Sequence, residues 1–170
     1  MKNYSDMTQV ICGVGGNQPN TPQAFSQLLN EIHQIMHNVM VSQVYTTEPM
    51  DYLDQPLFLN WCFSGNTAIQ PAELIDRLLS IEKKLGRQRT IANGPRIIDI
   101  DVLLYGNQCI NHPRIEVPHP RMHNRAFVLV PLIELYPEAK HPATGVFYRD
   151  YLNNLPEQGI YSMGLYPYNL

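Results

Sequence analysis

The sequence predicts an α+β domain, an antiparallel sheet with helices packed on its faces in a three-layer α/β/α arrangement. Short β-rich runs and amphipathic helical runs follow one another in the order β-α-β-β-α-β-β, the pattern of one sheet carrying helices. With 170 residues, 44% of them hydrophobic and 16% charged, the chain suits one domain with a proper core. No internal repeat or linker divides it.

Each element has a local reason. Val10 to Val14 is an apolar run ahead of Gly15-Gly16 and predicts a first buried strand. Thr21-Pro22 supplies an N-cap and a proline at the first helical position. Phe25, Leu28, Leu29, Ile32, Ile35 and Met36 then recur at helical spacing, so a helix is expected to about His37. Val39 to Tyr45 is β-rich, and Leu57 to Ala68 reads as a longer strand after a proline-containing loop. Pro71 opens a second helix with Leu74, Leu78, Ile81 and Leu85 on one face, and Gly86 ends it. Ile97 to Tyr105 is a strand, and Gly106-Asn107 predicts a tight turn into a partner strand near Cys109-Ile110. Ala126 to Leu135 is a short helix interrupted by Pro131, and the tail from Asn153, without clear period, is expected to be loosely attached. The whole is a ferredoxin-like core.

The net charge of −3 argues against a nucleic-acid or anionic-membrane binder. No apolar run approaches the length of a membrane span. The segment Met1 to Asp6 is polar, without the apolar stretch of a signal peptide. Cys12, Cys62 and Cys109 are widely spaced and read as small buried hydrophobes in a reducing compartment. A cytoplasmic monomer is the expectation.

Charge is nonetheless unevenly placed. Between Gly86 and Arg125 stand six arginines (Arg87, Arg89, Arg96, Arg114, Arg121, Arg125) against three acids (Asp99, Asp101, Glu116), a local +3 that leaves −6 elsewhere. The planar guanidinium fork suits bidentate contact with phosphate oxygens, so this bias points to a phosphate-bearing ligand. Gly13-Val14-Gly15-Gly16-Asn17-Gln18 places glutamine where a dinucleotide fingerprint needs its third glycine, and no Gly-Lys-Ser/Thr follows. These glycines are expected in a tight strand-to-loop turn near a ligand.

In the strand Ile97 to Tyr105, Ile98, Ile100, Val102 and Leu104 are expected on one face, and Ile97, Asp99, Asp101, Leu103 and Tyr105 on the other. Asp99 and Asp101 would stand about 7 Å apart along the strand. Carboxylates that close repel unless a cation intervenes, and Mg²⁺ with its taste for carboxylate and phosphate oxygens is the natural one. A bare Asp-x-Asp more often faces water, but the apolar flanks and surrounding arginines favour metal-assisted phosphoryl chemistry. His112, His119 and His123 are close in sequence, yet Pro118 and Pro120 disrupt any helix there and make a zinc site a poor reading.

Three blocks carry a resemblance: Gly86-Arg87-Gln88-Arg89; Gly94-Pro95-Arg96-Ile97-Ile98-Asp99-Ile100-Asp101; and Pro118-His119-Pro120-Arg121-Met122-His123-Asn124-Arg125-Ala126-Phe127. In this order and spacing the chain resembles the 6-hydroxymethyl-7,8-dihydropterin pyrophosphokinases, from Val10 to about Leu152. Residues 1–9 would then be an N-terminal extension, 10–152 the pyrophosphokinase domain and 153–170 a tail. The resemblance implies transfer of pyrophosphate from ATP to hydroxymethyl dihydropterin in folate synthesis, with two Mg²⁺ ions held by Asp99 and Asp101. It implies that Arg87 and Arg96 are catalytic alongside these aspartates, and that Glu82, Arg87, Arg89, Arg96, Arg114, His119 and Arg125 bind ATP. Thr47, Met50, Phe58, Asn60 and Phe127 would hold the pterin. Asn93 stands before Gly94 where many members carry an aromatic residue, Thr90 stands where a lysine is frequent, and Pro120 replaces a tyrosine of some members. From the residues alone, a silent ligand-binding module and a metal-dependent phosphohydrolase remain open beside the transferase.

Overall fold

A computed structural model describes residues 6–88 and 92–164. Strands β1 (Thr8–Gly16), β2 (His37–Val41), β3 (Tyr45–Thr47), β4 (Phe58–Thr67), β5 (Asp99–Tyr105) and β8 (Ile160–Ser162) form one antiparallel sheet in the order β5-β1-β4-β3-β8, with β2 also on β4. Helices α1 (Thr21–Ile35) and α2 (Pro71–Lys84) cover one face. Helices α3 (Ala126–Leu135) and α4 (Tyr148–Asn153) cover the other. Strands β6 (Ile110–His112) and β7 (Ile115–Val117) form a separate hairpin. Together, β1-α1-β2/β3-β4-α2-β5 reproduce the expected ferredoxin-like core.

Two apolar clusters hold the layers together. Phe25, Leu28 and Ile32 of α1 and Leu74 and Leu78 of α2 pack on Val10, Cys12, Trp61, Phe63 and Ile100. Leu129 and Leu132 of α3 and Tyr148 of α4 pack on Ile11, Cys62, Leu103 and Leu104. Burying such side chains on both faces is the main stabilising term, about 1.5–3 kcal/mol each. No helix among the described residues is long and apolar enough to cross a membrane.

Several local expectations change. Leu104 and Tyr105 exchange faces: Ile11 pairs with Leu104 but Cys12 with Val102. Leu103 is therefore a bulge residue, after which the alternation inverts. Leu104 joins the α3 side and Tyr105 the α1/α2 side. The β-rich Val39–Tyr45 run becomes two strands, because the Ser42 hydroxyl accepts from the Cys62 N–H (2.9 Å) in place of a ladder carbonyl. Thr21 lies inside α1 instead of capping it, and its hydroxyl donates to the Ile97 carbonyl (2.7 Å). This tie holds Ile97 out of β5, which starts at Asp99.

The turn at Gly106, which has φ +53°, leads to β6, but β6 pairs with β7 and not with β5. The open edge of β5 is already taken: the Glu82 carboxylate accepts from Ile100 N–H (2.6 Å), and His119 N–H donates to the Leu103 carbonyl (2.9 Å). Cys109, in that turn, is exposed, whereas Cys12 and Cys62 are buried. Beyond Asn153, Ile160–Ser162 pairs with β3 as the edge strand β8; a long-range partner, and no local period, creates it.

Candidate active site

The floor of the site comes from glycines within a strand. Gly13, Gly15 and Gly16 all belong to β1, so the expected tight turn is absent there and the chain turns only beyond Asn17. In register, Asn60 of β4 faces Gly15, and Gly15 faces Asp99 of β5; likewise Cys62 faces Gly13 and Gly13 faces Asp101. Directly opposed residues share a face, so the two glycines leave a trough between β4 and the aspartates. A Cβ on Gly15 would lie 2.9 Å from Asn60 Oδ1, too close for any side chain without displacing the asparagine.

Two clefts, each of about 620 Å³, meet at the aspartates, and the first of them takes in the trough. Thr47, Met50, Phe58, Asn60, Phe127, Arg96 and Arg125 line the first. Glu82, His112, Arg114, Glu116 and His119 line the second. Asp99, Asp101 and Arg87 line both. The aspartates thus form the partition between two ligand-sized spaces. Of the residues expected with the nucleotide, Arg96 and Arg125 line the first cleft and not the second, and Arg89 lies outside the described residues. Met50 sits on the rim, about half exposed.

The charged groups interlock. Helix α2 ends on Gly86 at φ +94°, with Gly86 N–H donating to the Lys83 carbonyl (3.1 Å) and Arg87 N–H to the Glu82 carbonyl (3.0 Å). This double closure reverses the chain at a residue where glycine is favoured. It aims Arg87 back along the helix, where Nη1 meets Glu82 Oε2 at 2.5 Å and Asp99 Oδ1 at 2.6 Å. Arg96 Nε lies 3.0 Å from Asp99 Oδ2, and its guanidinium covers the Phe58 ring at 4.8 Å. Arg125 similarly lies 5.5 Å from the Phe127 ring. Arg114 pairs with Asp76 at the outer edge of the second cleft.

Burial and the Asp99 charge raise the Asp101 carboxyl to about 6, against the pull of Arg125, Arg96 and Arg87. Burial also raises Glu82, opposed by Arg87 and the Ile100 amide. Burial, with Arg125 and Arg121 beside it, lowers His119 to about 4, so its ring is neutral at neutral pH. His119 Nδ1 accepts from Arg121 N–H (3.3 Å), which assigns the proton to Nε2 and leaves a donor there.

Asn60 Nδ2 donates to Thr47 Oγ1 (2.6 Å), fixing the amide with Oδ1 as its remaining acceptor. Asn17, 7% exposed, lines neither cleft but supports the first, a role not expected from the sequence. Its side chain donates to Gln55 Oε1 and the Pro56 carbonyl (both 3.0 Å) and accepts from Arg96 N–H (3.0 Å). It clips the loop before β4 to the loop carrying Arg96. The run Gly15-Gly16-Asn17 was the available signal, since close-approach glycines mark a ligand-facing strand end.

Among the described residues no group of three or more His, Cys, Asp and Glu could hold a metal by protein ligands alone. The donor set is a pair of carboxylates on a strand, one of them held toward its neutral form by burial and its neighbour. Such a pair suits a hard cation that keeps waters and shares phosphate oxygens.

Comparison with known proteins decides the family. The model for 7,8-dihydro-6-hydroxymethylpterin-pyrophosphokinase (HPPK) matches residues 11–137. The 2-amino-4-hydroxy-6-hydroxymethyldihydropteridine pyrophosphokinase of Pseudomonas aeruginosa is 36% identical over 136 residues, covering 79% of this chain and 84% of that protein.

The chain belongs to the HPPK family.

Among other relatives, the Bacillus subtilis pyrophosphokinase is 40% identical over 112 residues, with 66% of this chain and 67% of that protein covered. The folic acid synthesis protein fol1 of Pneumocystis carinii is 39% identical over 119 residues, or 70% of this chain. The match spans only 16% of that fungal protein's length. A Plasmodium falciparum HPPK-DHPS structure superposes with a TM-score of 0.70 at 14% identity, over 86% of this chain and 44% of that one, which establishes the shared fold. The HPPK match ends before α4 and β8, so both elements lie outside the part that the family model covers.

Proposed function

We propose that this chain transfers the pyrophosphoryl group of ATP to the hydroxymethyl oxygen of 6-hydroxymethyl-7,8-dihydropterin, giving the pterin diphosphate and AMP for folate synthesis. The observation that carries this reading is the partition: two clefts share Asp99, Asp101 and Arg87. A transfer between two bound molecules needs their reacting ends at one boundary, and a hydrolase needs only one cleft. The names of the Pseudomonas and Bacillus relatives support the choice of substrates.

The first cleft suits the pterin. Phe58 and Phe127 supply flat apolar walls, and Asn60, held by Thr47, offers an oriented acceptor to ring N–H groups. In the second cleft, neutral His119 donates from Nε2 and Arg114 adds positive charge for the nucleotide. Glu82 does its work through Arg87 and the β5 backbone, its two oxygens being engaged there. Asp99 and Asp101 would hold Mg²⁺ brought with ATP, and the metal would offset charge on the phosphate oxygens.

In the transfer, the hydroxymethyl oxygen forms a bond to the β-phosphorus while the bond from that phosphorus to the α,β-bridging oxygen breaks, and the bridging oxygen leaves on AMP. The hydroxyl proton passes to a carboxylate or to water. The protein aligns the two ends and stabilises spreading charge. Arg96 and Arg87, already paired with Asp99, are placed to shift onto the moving group, and Asp99 orients the attacking hydroxyl.

Incubation with Mg-ATP and hydroxymethyl dihydropterin should yield AMP and pterin diphosphate in equal amounts. Formation of ADP or inorganic phosphate instead, or AMP without the pterin, would sink the reading. Near-normal turnover by Asp99→Ala would remove the role given to that carboxylate.

A further inference from the structure

We infer that Gln158 is a positioning residue for the pterin end of the cleft, supplied by the strap that leads into β8. This deepens the pterin pyrophosphokinase reading and rests on it. Residue 158 lies beyond the 11–137 segment that the family model covers.

Helix α3 starts without help from its own sequence. Its first turn has no acidic residue, and its cap, Arg125, makes no side-chain capping bond. The first amides of a helix need acceptors. Gln158 provides one: its Oε1 accepts from Ala126 N–H at 2.9 Å. Its Nε2 donates to the Asn124 carbonyl at 3.1 Å. One carboxamide therefore holds both peptide groups that flank the Arg125 Cα. With those two planes held, the extended backbone of Arg125 (φ −126°, ψ 104°) is set. Arg125 and Phe127, two residues apart, both line the first cleft, with the guanidinium 5.5 Å from the ring.

The strap is itself anchored where it matters. β8 pairs with β3 so that Ile160 faces Thr47, and Thr47 orients Asn60. Gln158 stands two residues before that pair. A small cavity of about 160 Å³ is lined by Phe127, Thr47 and Met50 together with Gln158 and Ile160 of the strap. The strap thus adjoins the aromatic wall and carries the amide that orients it.

The test uses Gln158→Met, which keeps the length of the half-buried side chain and removes both bonds, and Gln158→Glu, which keeps only the acceptor for Ala126. In Gln158→Met the KM for hydroxymethyl dihydropterin should rise about tenfold, the affinity change of one lost hydrogen bond to a positioned group, with the KM for ATP within about twofold of the wild type. Gln158→Glu should fall between. Hydrogen exchange at the Ala126 amide should quicken in Gln158→Met, while later amides of α3 stay protected. A purely structural role predicts a lower Tm with an unchanged pterin KM, and that result would overturn the inference while leaving the transferase reading intact. If the wild type makes no AMP, the transferase reading falls by itself. Pterin affinity by fluorescence titration then decides on Gln158: weaker binding with faster Ala126 exchange upholds it, and unchanged binding or exchange overturns it.

Discussion

Asn60 and Asp99 stand in one row across three strands with only Gly15 between them. The Asn60 amide and the Asp99 carboxylate are thereby neighbours over a bare backbone. On the proposed reading, a side chain at Gly15 would fill the gap where the two substrates meet. Gly15→Ala should therefore lose about 10- to 100-fold in kcat/KM for the pterin, equivalent to the roughly 1–3 kcal/mol of a forced overpacking. Steady-state kinetics on the purified variant check this, and a wild-type value would show that the trough is wider than Asn60 Oδ1 allows.

Arg96 lines the first cleft, where it covers Phe58, and touches Asp99, which borders both clefts. A residue that stabilises charge only as it develops affects kcat more than ground-state binding. Arg96→Ala should lower kcat by about 10²- to 10³-fold, the usual loss for one charge-stabilising donor, and leave the Kd for ATP nearly unchanged. Paired kcat and equilibrium-binding measurements separate the two; a large rise in Kd alone would make Arg96 a simple binding residue.

Asp101 gives a pH signature to the metal-free protein. Its carboxyl is raised to about 6 in the fold, from 3.8. The folded state thus favours its protonated form, so its stabilising contribution is complete below about pH 4 and is lost as pH rises through 6. Asp101→Asn keeps that contribution at every pH. The variant should melt above the wild type at pH 7.5, and the gap should close as pH falls to 4, by calorimetry with chelator present. His119, lowered to about 4, works the other way: it costs stability as pH falls from about 6.5 to 4 in both proteins, so it leaves their difference unaffected.

Gly86 at φ +94° both closes α2 and directs Arg87 onto Glu82 and Asp99. Gly86→Ala should cost about 1 kcal/mol of stability from the left-handed backbone alone. It should also reduce kcat, because any relaxation moves Arg87. A denaturant midpoint and a turnover number on the same preparation test both parts; an unchanged kcat at the expected stability loss would uncouple the helix end from catalysis.

Local chemistry was legible in the chain by itself. Pro22 and Pro71 at the starts of α1 and α2, Gly86 at an end, and the apolar periods between them identify the two helices that cover one face, because each depends on neighbours within a turn or two. The same holds for Asp99 and Asp101 on the face opposite Ile98 and Ile100. Tertiary structure decided what depends on pairing over distance. The bulge at Leu103 inverts the end of β5, and β8 finds its partner in β3. Gly15 becomes the floor between Asn60 and Asp99, and Asn17 joins loops that are far apart in sequence. Alternation says which side chains share a strand face; only cross-strand register says which residues of other strands stand beside them, and the active site is built from that register.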